Sequence, residues 1–145
     1  KREQLAEFII HFAKHWGIGS VSSKELDKIG LSKANELAME RAVQNLGNKP
    51  DFCLVDGNAM KESPRIGLFK NIIKGDGKSI SIAAASILAK VFRDKLMDSV
   101  DEQYPGYGFK EHKGYGTGLQ RKSIIKHGIL PIHRKSFTPI KELIK

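Results

Sequence analysis

The chain has 145 residues, 40% of them hydrophobic and 28% charged, which is enough for one globular domain with its own core. No apolar run is long enough to span a bilayer, and the single Cys53 excludes an internal disulfide framework or a multi-cysteine zinc site. The net charge is +9, and residues 110–145 carry +7 of it, with nine basic and two acidic side chains. Such a basic tail suits a polyanionic partner through phosphate contacts, or simply a solvated surface. The opening Lys1-Arg2-Glu3-Gln4-Leu5 has an acidic residue where a signal peptide needs an apolar segment. A cytoplasmic setting without membrane partners is therefore expected.

Leu5, Phe8, Ile9, Phe12 and Trp16 recur at helical spacing, predicting an amphipathic helix over residues 2–15. Ile18 and Val21 suggest a short edge strand. Ser22 and Glu25 have the spacing of a capping box and predict a helical turn. Ser32 is the expected cap of the next helix, with Leu37, Ala38, Val43 and Leu46 inward and Gly47 as its stop. Phe52-Cys53-Leu54-Val55 reads as a buried strand ending at Asp56-Gly57, and Leu68 to Ile73 as a second, ending before Gly75-Asp76-Gly77. The strongest helix runs from about Ser81 to Val100, and its first turns are small enough for another backbone to approach. Two Gly/Tyr-rich loops follow, over residues 104–109 and 114–118. A helix then ends at His127-Gly128, and a last one starts at Thr138-Pro139. Strands alternating with helices predict an α/β fold.

Asp56 and Asp76 each follow a predicted strand and precede a glycine. Ligands of open α/β sheets bind at strand C-termini. Two carboxylates converging there would repel unless a cation joined them, and oxygen-only ligands select hard ions such as Mg2+ or Mn2+. A pair of such ions about 4 Å apart can hydrolyse a phosphodiester. Each Asp-Gly taken singly is also an ordinary turn dipeptide. Gly77-Lys78-Ser79 imitates the end of a phosphate-binding loop, but Ile72 stands where that motif needs glycine. No HExxH or GxSxG string occurs. His11 reads as a helix-surface residue, His133 as surface or structural, and Ser86 as a packing residue. Tyr104 and Tyr107 read as loop anchors. Tyr115, between two glycines and after Lys113, could anchor its loop or stack on a sugar.

Longer strings are more specific. Lys74-Gly75-Asp76-Gly77-Lys78-Ser79, then Ser81 through Val91 and Arg93-Asp94, resemble the signature of ribonuclease HII. So do Tyr104 through Phe109, His112 through Thr117, His133 through Phe137, and Leu54-Val55-Asp56-Gly57-Asn58. The resemblance implies a ribonuclease H-like mixed sheet with flanking helices and a C-terminal helical extension, its first strands missing. It divides the chain into a truncated core, 1–103, and a basic loop-helix segment of the same domain, 104–145. It also implies an endonuclease for RNA–DNA hybrids and single ribonucleotides in duplex DNA, dependent on Mg2+ or Mn2+ and leaving 5′-phosphate and 3′-hydroxyl ends. Primer removal in DNA replication and ribonucleotide excision repair are the cellular roles it suggests.

By the same resemblance Asp56 and Asp76 are metal ligands and catalytic residues, and Tyr115 and Lys113 contact substrate. Asp94 is structural or supports the site from behind the ligands. The family's adjacent Asp-Glu, in a DEAGRG string, has no counterpart here, and Gln120 stands where a histidine is usual. The expectation is a chain inactive alone, whose sheet is completed by a missing N-terminal segment or another chain. The alternatives are a non-catalytic hybrid-binding module and a fragment that does not fold.

Overall fold

The computed structural model describes residues 1–58, 60–61, 63–138 and 140–143. In chain order its elements are α1 (Arg2–Phe12), α2 (Ser23–Ile29), α3 (Leu31–Gln44), β1 (Cys53–Asp56), β2 (Phe69–Ile72), a single 3-10 turn (Gly75–Gly77), α4 (Ile80–Gln103), α5 (Phe109–His112), α6 (Gly118–His127) and α7 (Ile140–Leu143). The chain divides into two compact units. Unit 1 comprises Lys1–Val21 and Ile29–Val91, and unit 2 comprises Ser22–Lys28 and Phe92–Lys145. Helix α4 supplies its first three turns to unit 1 and the remainder to unit 2. No helix among the described residues is long and apolar enough to cross a membrane.

In unit 1, β1 and β2 pair in parallel, with Cys53 opposite Phe69 and Asp56 opposite Ile72. Parallel strands need helices over their faces. Val55, Met60 and Ile66 form one apolar cluster, covered by Met39 and Val43 of α3. A second cluster joins Ala6 of α1 to Leu88 and Val91 of α4, with Ile9, Ile18 and Ile87 around it. Both strands therefore finish at the same end of the sheet, where the chain turns through Gly57 and Gly75. The two strands and α4 lie where the sequence places them, and the α/β expectation holds.

Three expectations change. Ile18–Val21 forms no strand among the described residues. The segment is instead fastened to α3, where Asn45 Nδ2 donates to the Ile18 carbonyl at 2.8 Å and Arg41 Nη1 to the Ser20 carbonyl at 2.7 Å. Gly19 packs against α3 so closely that a Cβ there would meet the Ala38 carbonyl oxygen at 1.8 Å. Ser32 is not a cap. Gly30, with φ 79°, is the N-cap of α3, and Ser32 lies within the helix. Helix α1 stops at Phe12, and its apolar stripe is largely uncovered: Phe8 and Phe12 are 60% and 67% exposed. The capping box at α2 is as expected, with Ser22 N donating to Glu25 Oε2 and Glu25 N to Ser22 Oγ. The expected proline at the start of the last helix, Pro139, lies outside the described residues.

Unit 2 has an aromatic centre. Tyr107 and Phe109 are buried and stacked, with ring centroids 5.6 Å apart. His133 lies within 6 Å of both rings, and His112 meets Phe109 edge-on. The Tyr107 hydroxyl donates to the His127 and Gly128 carbonyls, the last turn of α6. It is therefore the anchor its position suggested. Thr117 caps α6 by accepting from Gln120 N. Asp27 of α2 clips the 134–137 turn, accepting from the Lys135 and Ser136 amides and the Ser136 hydroxyl.

Candidate active site

Asp56 closes β1 and is exposed. Its Oδ1 accepts from the backbone amide of Gly75 at 2.7 Å. That bond requires the backbone beyond β2 to come close, and Gly75 makes this possible. A Cβ there would lie 3.2 Å from Asp56 Oδ1 and 2.5 Å from Ile82 Cδ1. Lys74 takes up the turn in a left-handed conformation, φ 54°. The Gly75 carbonyl then accepts from the Lys78 and Ser79 amides and leads into α4. Asp76, the next residue, is exposed at the same end of the sheet. The fold thus brings both sequence-predicted carboxylates to one strand end, linked through Gly75.

Two exposed carboxylates suit a hard divalent ion in the chemistry of their oxygens. They are too few to enclose one. Among the described residues, no group of three or more His, Cys, Asp or Glu is arranged to hold a metal ion. Beside this end, α1, α3, β1 and α4 border an open groove of about 760 Å³ in unit 1. Trp16, Phe52, Leu54 and the small residues Ala84, Ala85 and Ala89 line it. In β1 the Cys53 and Gly57 amides face β2. Alternation along a strand turns the peptide groups of Leu54 and Asp56 the other way, so among the described residues this edge of β1 pairs with no strand.

The remaining candidates lie in unit 2. Tyr115 is 61% exposed on the loop after α5. Arg93 of α4 lies over its ring, 4.3 Å from guanidinium carbon to centroid. Arg93 Nη1 also donates to the Tyr115 hydroxyl at 2.9 Å, and its Nη2 to the Lys113 carbonyl at 2.8 Å. Lys113 adopts a left-handed conformation, φ 48°. Its ammonium pairs with Asp98 and reaches the Asp94 carbonyl at 3.3 Å. Lys113 thus holds the loop to α4, and a phosphate would have to compete with Asp98 for it. The Asp94 carbonyl belongs to this support.

Sequence reasoning assigned no role to Arg93, Asp98 or His112, although Arg93 and His112 sat in the quoted strings. His112 accepts the Gly114 amide at Nδ1 and is buried. His133 is also buried rather than on a basic surface, and its Nδ1 accepts from the Leu130 amide at 2.9 Å. Burial holds its imidazole below the ordinary histidine value, and His112 pushes the same way.

Comparison with known proteins gives this arrangement a family. The ribonuclease HII family model matches residues 1–140. The chain belongs to the ribonuclease HII family. It is 49% identical to the ribonuclease HII of Myxococcus xanthus over 146 residues, covering 99% of this chain and 48% of that protein. It is 51% identical to that of Clostridioides difficile over 138 residues, covering 94% and 53%. It therefore spans about half the length of these curated relatives. Its fold is that of the ribonuclease H2 from Pyrococcus horikoshii, with a TM-score of 0.78 at 21% identity, over 98% of this chain and 74% of that one.

Proposed function

We propose that this chain is part of a metal-dependent endonuclease that hydrolyses the RNA strand of RNA–DNA hybrids and cuts at single ribonucleotides in duplex DNA. The observation that carries the reading is the juxtaposition of Asp56 and Asp76 through the Gly75 amide in a member of the ribonuclease HII family. Asp56 and Asp76 offer carboxylate oxygens to Mg2+ or Mn2+. Bound there, the ions would supply an activated water and charge stabilisation for the departing 3′ oxygen. The Gly75 amide engages one oxygen of the exposed Asp56 carboxylate. Tyr115 offers a ring to the sugar at an RNA–DNA junction, and Lys113 meets a phosphate by giving up Asp98. Asp94 keeps the loop in register on α4. Residues 104–145 act as a basic segment that favours polyanions. A cytoplasmic enzyme acting in replication or ribonucleotide excision repair fits this substrate.

Two of the four carboxylates implied by the family resemblance are absent, since no DEAGRG string occurs. The chain alone should therefore bind duplex without cleaving it. The open groove and the edge of β1 away from β2 suit an extended apolar strand, supplied by an N-terminal segment or by another chain. The test is to supply the DEAGRG-bearing segment in cis or in trans and assay a ribonucleotide-containing duplex with Mg2+ or Mn2+. Cleavage that appears on complementation and disappears with Asp56→Asn or Asp76→Asn is expected. Metal-dependent cleavage by the chain alone would overturn the inactivity. Persistent metal-independent binding with no cleavage after complementation would favour a hybrid-binding module.

A further inference from the structure

Tyr115 extends into solvent from a loop whose backbone is held by the buried His112 as well as by Arg93. His112 Nε2 lies 3.0 Å from the Tyr107 carbonyl, which can only accept, so Nε2 carries a proton. His112 Nδ1 lies 3.0 Å from the Gly114 amide, which can only donate, so Nδ1 is bare. The two partners together specify the neutral Nε2–H tautomer. The Tyr115 amide donates to the His112 carbonyl at 2.8 Å, and the Thr117 amide to the Tyr115 carbonyl at 2.8 Å. Gly114, with φ 77°, supplies the conformation that lets the chain double back on the ring.

We propose that His112 is a positioning residue for Tyr115, and that it sets the loop only in its neutral form, so that protonation at Nδ1 releases the Gly114 amide and lets Tyr115 move. This rests on the reading of Tyr115 as a nucleic-acid contact and adds a pH dependence to it.

Aromatic rings, a second imidazole and the groups of α4 surround His112. Phe109 covers it edge-on at 5.4 Å. Across Phe109 stands a second imidazole, His133, also accepting a backbone amide at Nδ1. His127 of α6 packs at a tilt against Tyr107, with centroids 5.5 Å apart. From α4 the charged groups facing this loop are Arg93, on the Tyr115 ring and Lys113 carbonyl, and Asp98, taken up by the Lys113 ammonium. Lys110 and Glu111 of α5 are exposed. Loss of the Gly114 bond would leave Arg93 as the side-chain hold on Tyr115.

The test labels the 145-residue chain with 3-fluorotyrosine, assigns the Tyr115 fluorine signal with Tyr115→Phe, and titrates from about pH 7.5 to about pH 5. The Tyr115 signal should move with acid in the native chain and in His133→Asn, whose amide oxygen can still accept from Leu130. It should lose that response in His112→Asn, whose amide oxygen replaces Nδ1 as a permanent acceptor for Gly114. If His112→Asn fails to fold, ¹⁵N imidazole shifts of the native chain decide. At neutral pH His112 should be protonated at Nε2 and bare at Nδ1. A cation or the other tautomer, or a Tyr115 signal indifferent to acid, would overturn the proposal.

Affinity for a ribonucleotide-containing duplex relative to an all-DNA duplex is the second readout. The ratio should fall about fivefold on acidification, the scale of one positioned hydrogen bond, and should not fall in His112→Asn. A Tyr115 signal that follows His112 while Tyr115→Ala leaves the ratio unchanged would sink the role of Tyr115 in binding and leave the positioning by His112 standing.

Discussion

Asp56 and Asp76 stand exposed at the end of a two-stranded sheet, beside an uncovered groove, whereas Tyr115 sits on a loop tied down by Arg93, His112 and the Lys113–Asp98 pair. The first region gathers chemistry with little burial. The second invests a buried aromatic and imidazole cluster in the position of one exposed ring. Substitutions should accordingly affect activity and stability in opposite proportions in the two units.

The largest effect is expected at Asp76. With the complementing segment present, Asp76→Asn should lower cleavage about a thousandfold, roughly 4 kcal/mol of transition-state stabilisation. Its side chain is exposed, so the melting temperature of the chain should move little. A large stability loss with intact cleavage would reverse the assignment of unit 1. The matching change in unit 2 is Phe109→Ala. Phe109 is 3% exposed and touches Tyr107, His112 and His133. Its removal should cost about 3–5 kcal/mol of stability, measured by chemical denaturation.

A sharper cut separates charge from scaffolding at Asp56. Asp56→Asn keeps an oxygen for the Gly75 amide, while Asp56→Ala leaves that donor without its partner. The alanine variant should lose about 1–3 kcal/mol of stability and the asparagine variant little. Both should lose cleavage in the complemented protein. Equal stability of the two variants would mean that the Gly75 bond contributes nothing to the turn.

The contrast between the units also governs what the sequence discloses. Asp56 and Asp76 were legible because their signal is local: an apolar run, then an acid, then a glycine. The capping box of α2 and the end of α6 at Gly128 are local in the same way. The supports of Tyr115 are not. Arg93 and Asp98 reach it from α4 across 15 to 22 residues, and nothing in the spacing announces those contacts. The 18–21 stretch has apolar residues that suit a strand, but Arg41 and Asn45 claim its carbonyls from α3. At α3, Gly30 at positive φ ends the preceding helix and begins the next, which leaves Ser32 two residues too late to cap. The stripe on α1 was read correctly as apolar.

Thr117→Ala tests how far the loop depends on its C-terminal tether. The Thr117 side chain accepts from Gln120 at the start of α6, and its loss should cost about 1 kcal/mol. The fluorine signal of Tyr115 should scarcely move, because Arg93 holds the ring and His112 the Gly114 amide independently of that cap. A large shift would place the main constraint at α6 instead.

The smallest effect concerns pH. Burial lowers the His133 imidazole below its ordinary value. A depressed histidine contributes stability that is fully present above the unfolded value, about 6.5, and that is lost as pH falls through the lower native value. Asp27 adds an acid limb of the same sign. Burial alone would raise its carboxyl, but the Ser136 hydroxyl, the Ser136 and Lys135 amides and the Lys135 charge more than offset this and hold it low. Its contribution is present above the usual carboxylate range and is lost as pH falls through the depressed native value. Both groups lie in unit 2, whereas the Ala6–Leu88–Val91 cluster of unit 1 contains no ionisable side chain. Amide exchange followed from about pH 7.5 to about pH 5 should therefore show protection falling first around Leu130, whose amide His133 accepts. Protection that falls equally at Leu88 and Leu130 would mean that the two units unfold as one, and that the imidazoles report on the whole chain rather than on the loop they hold.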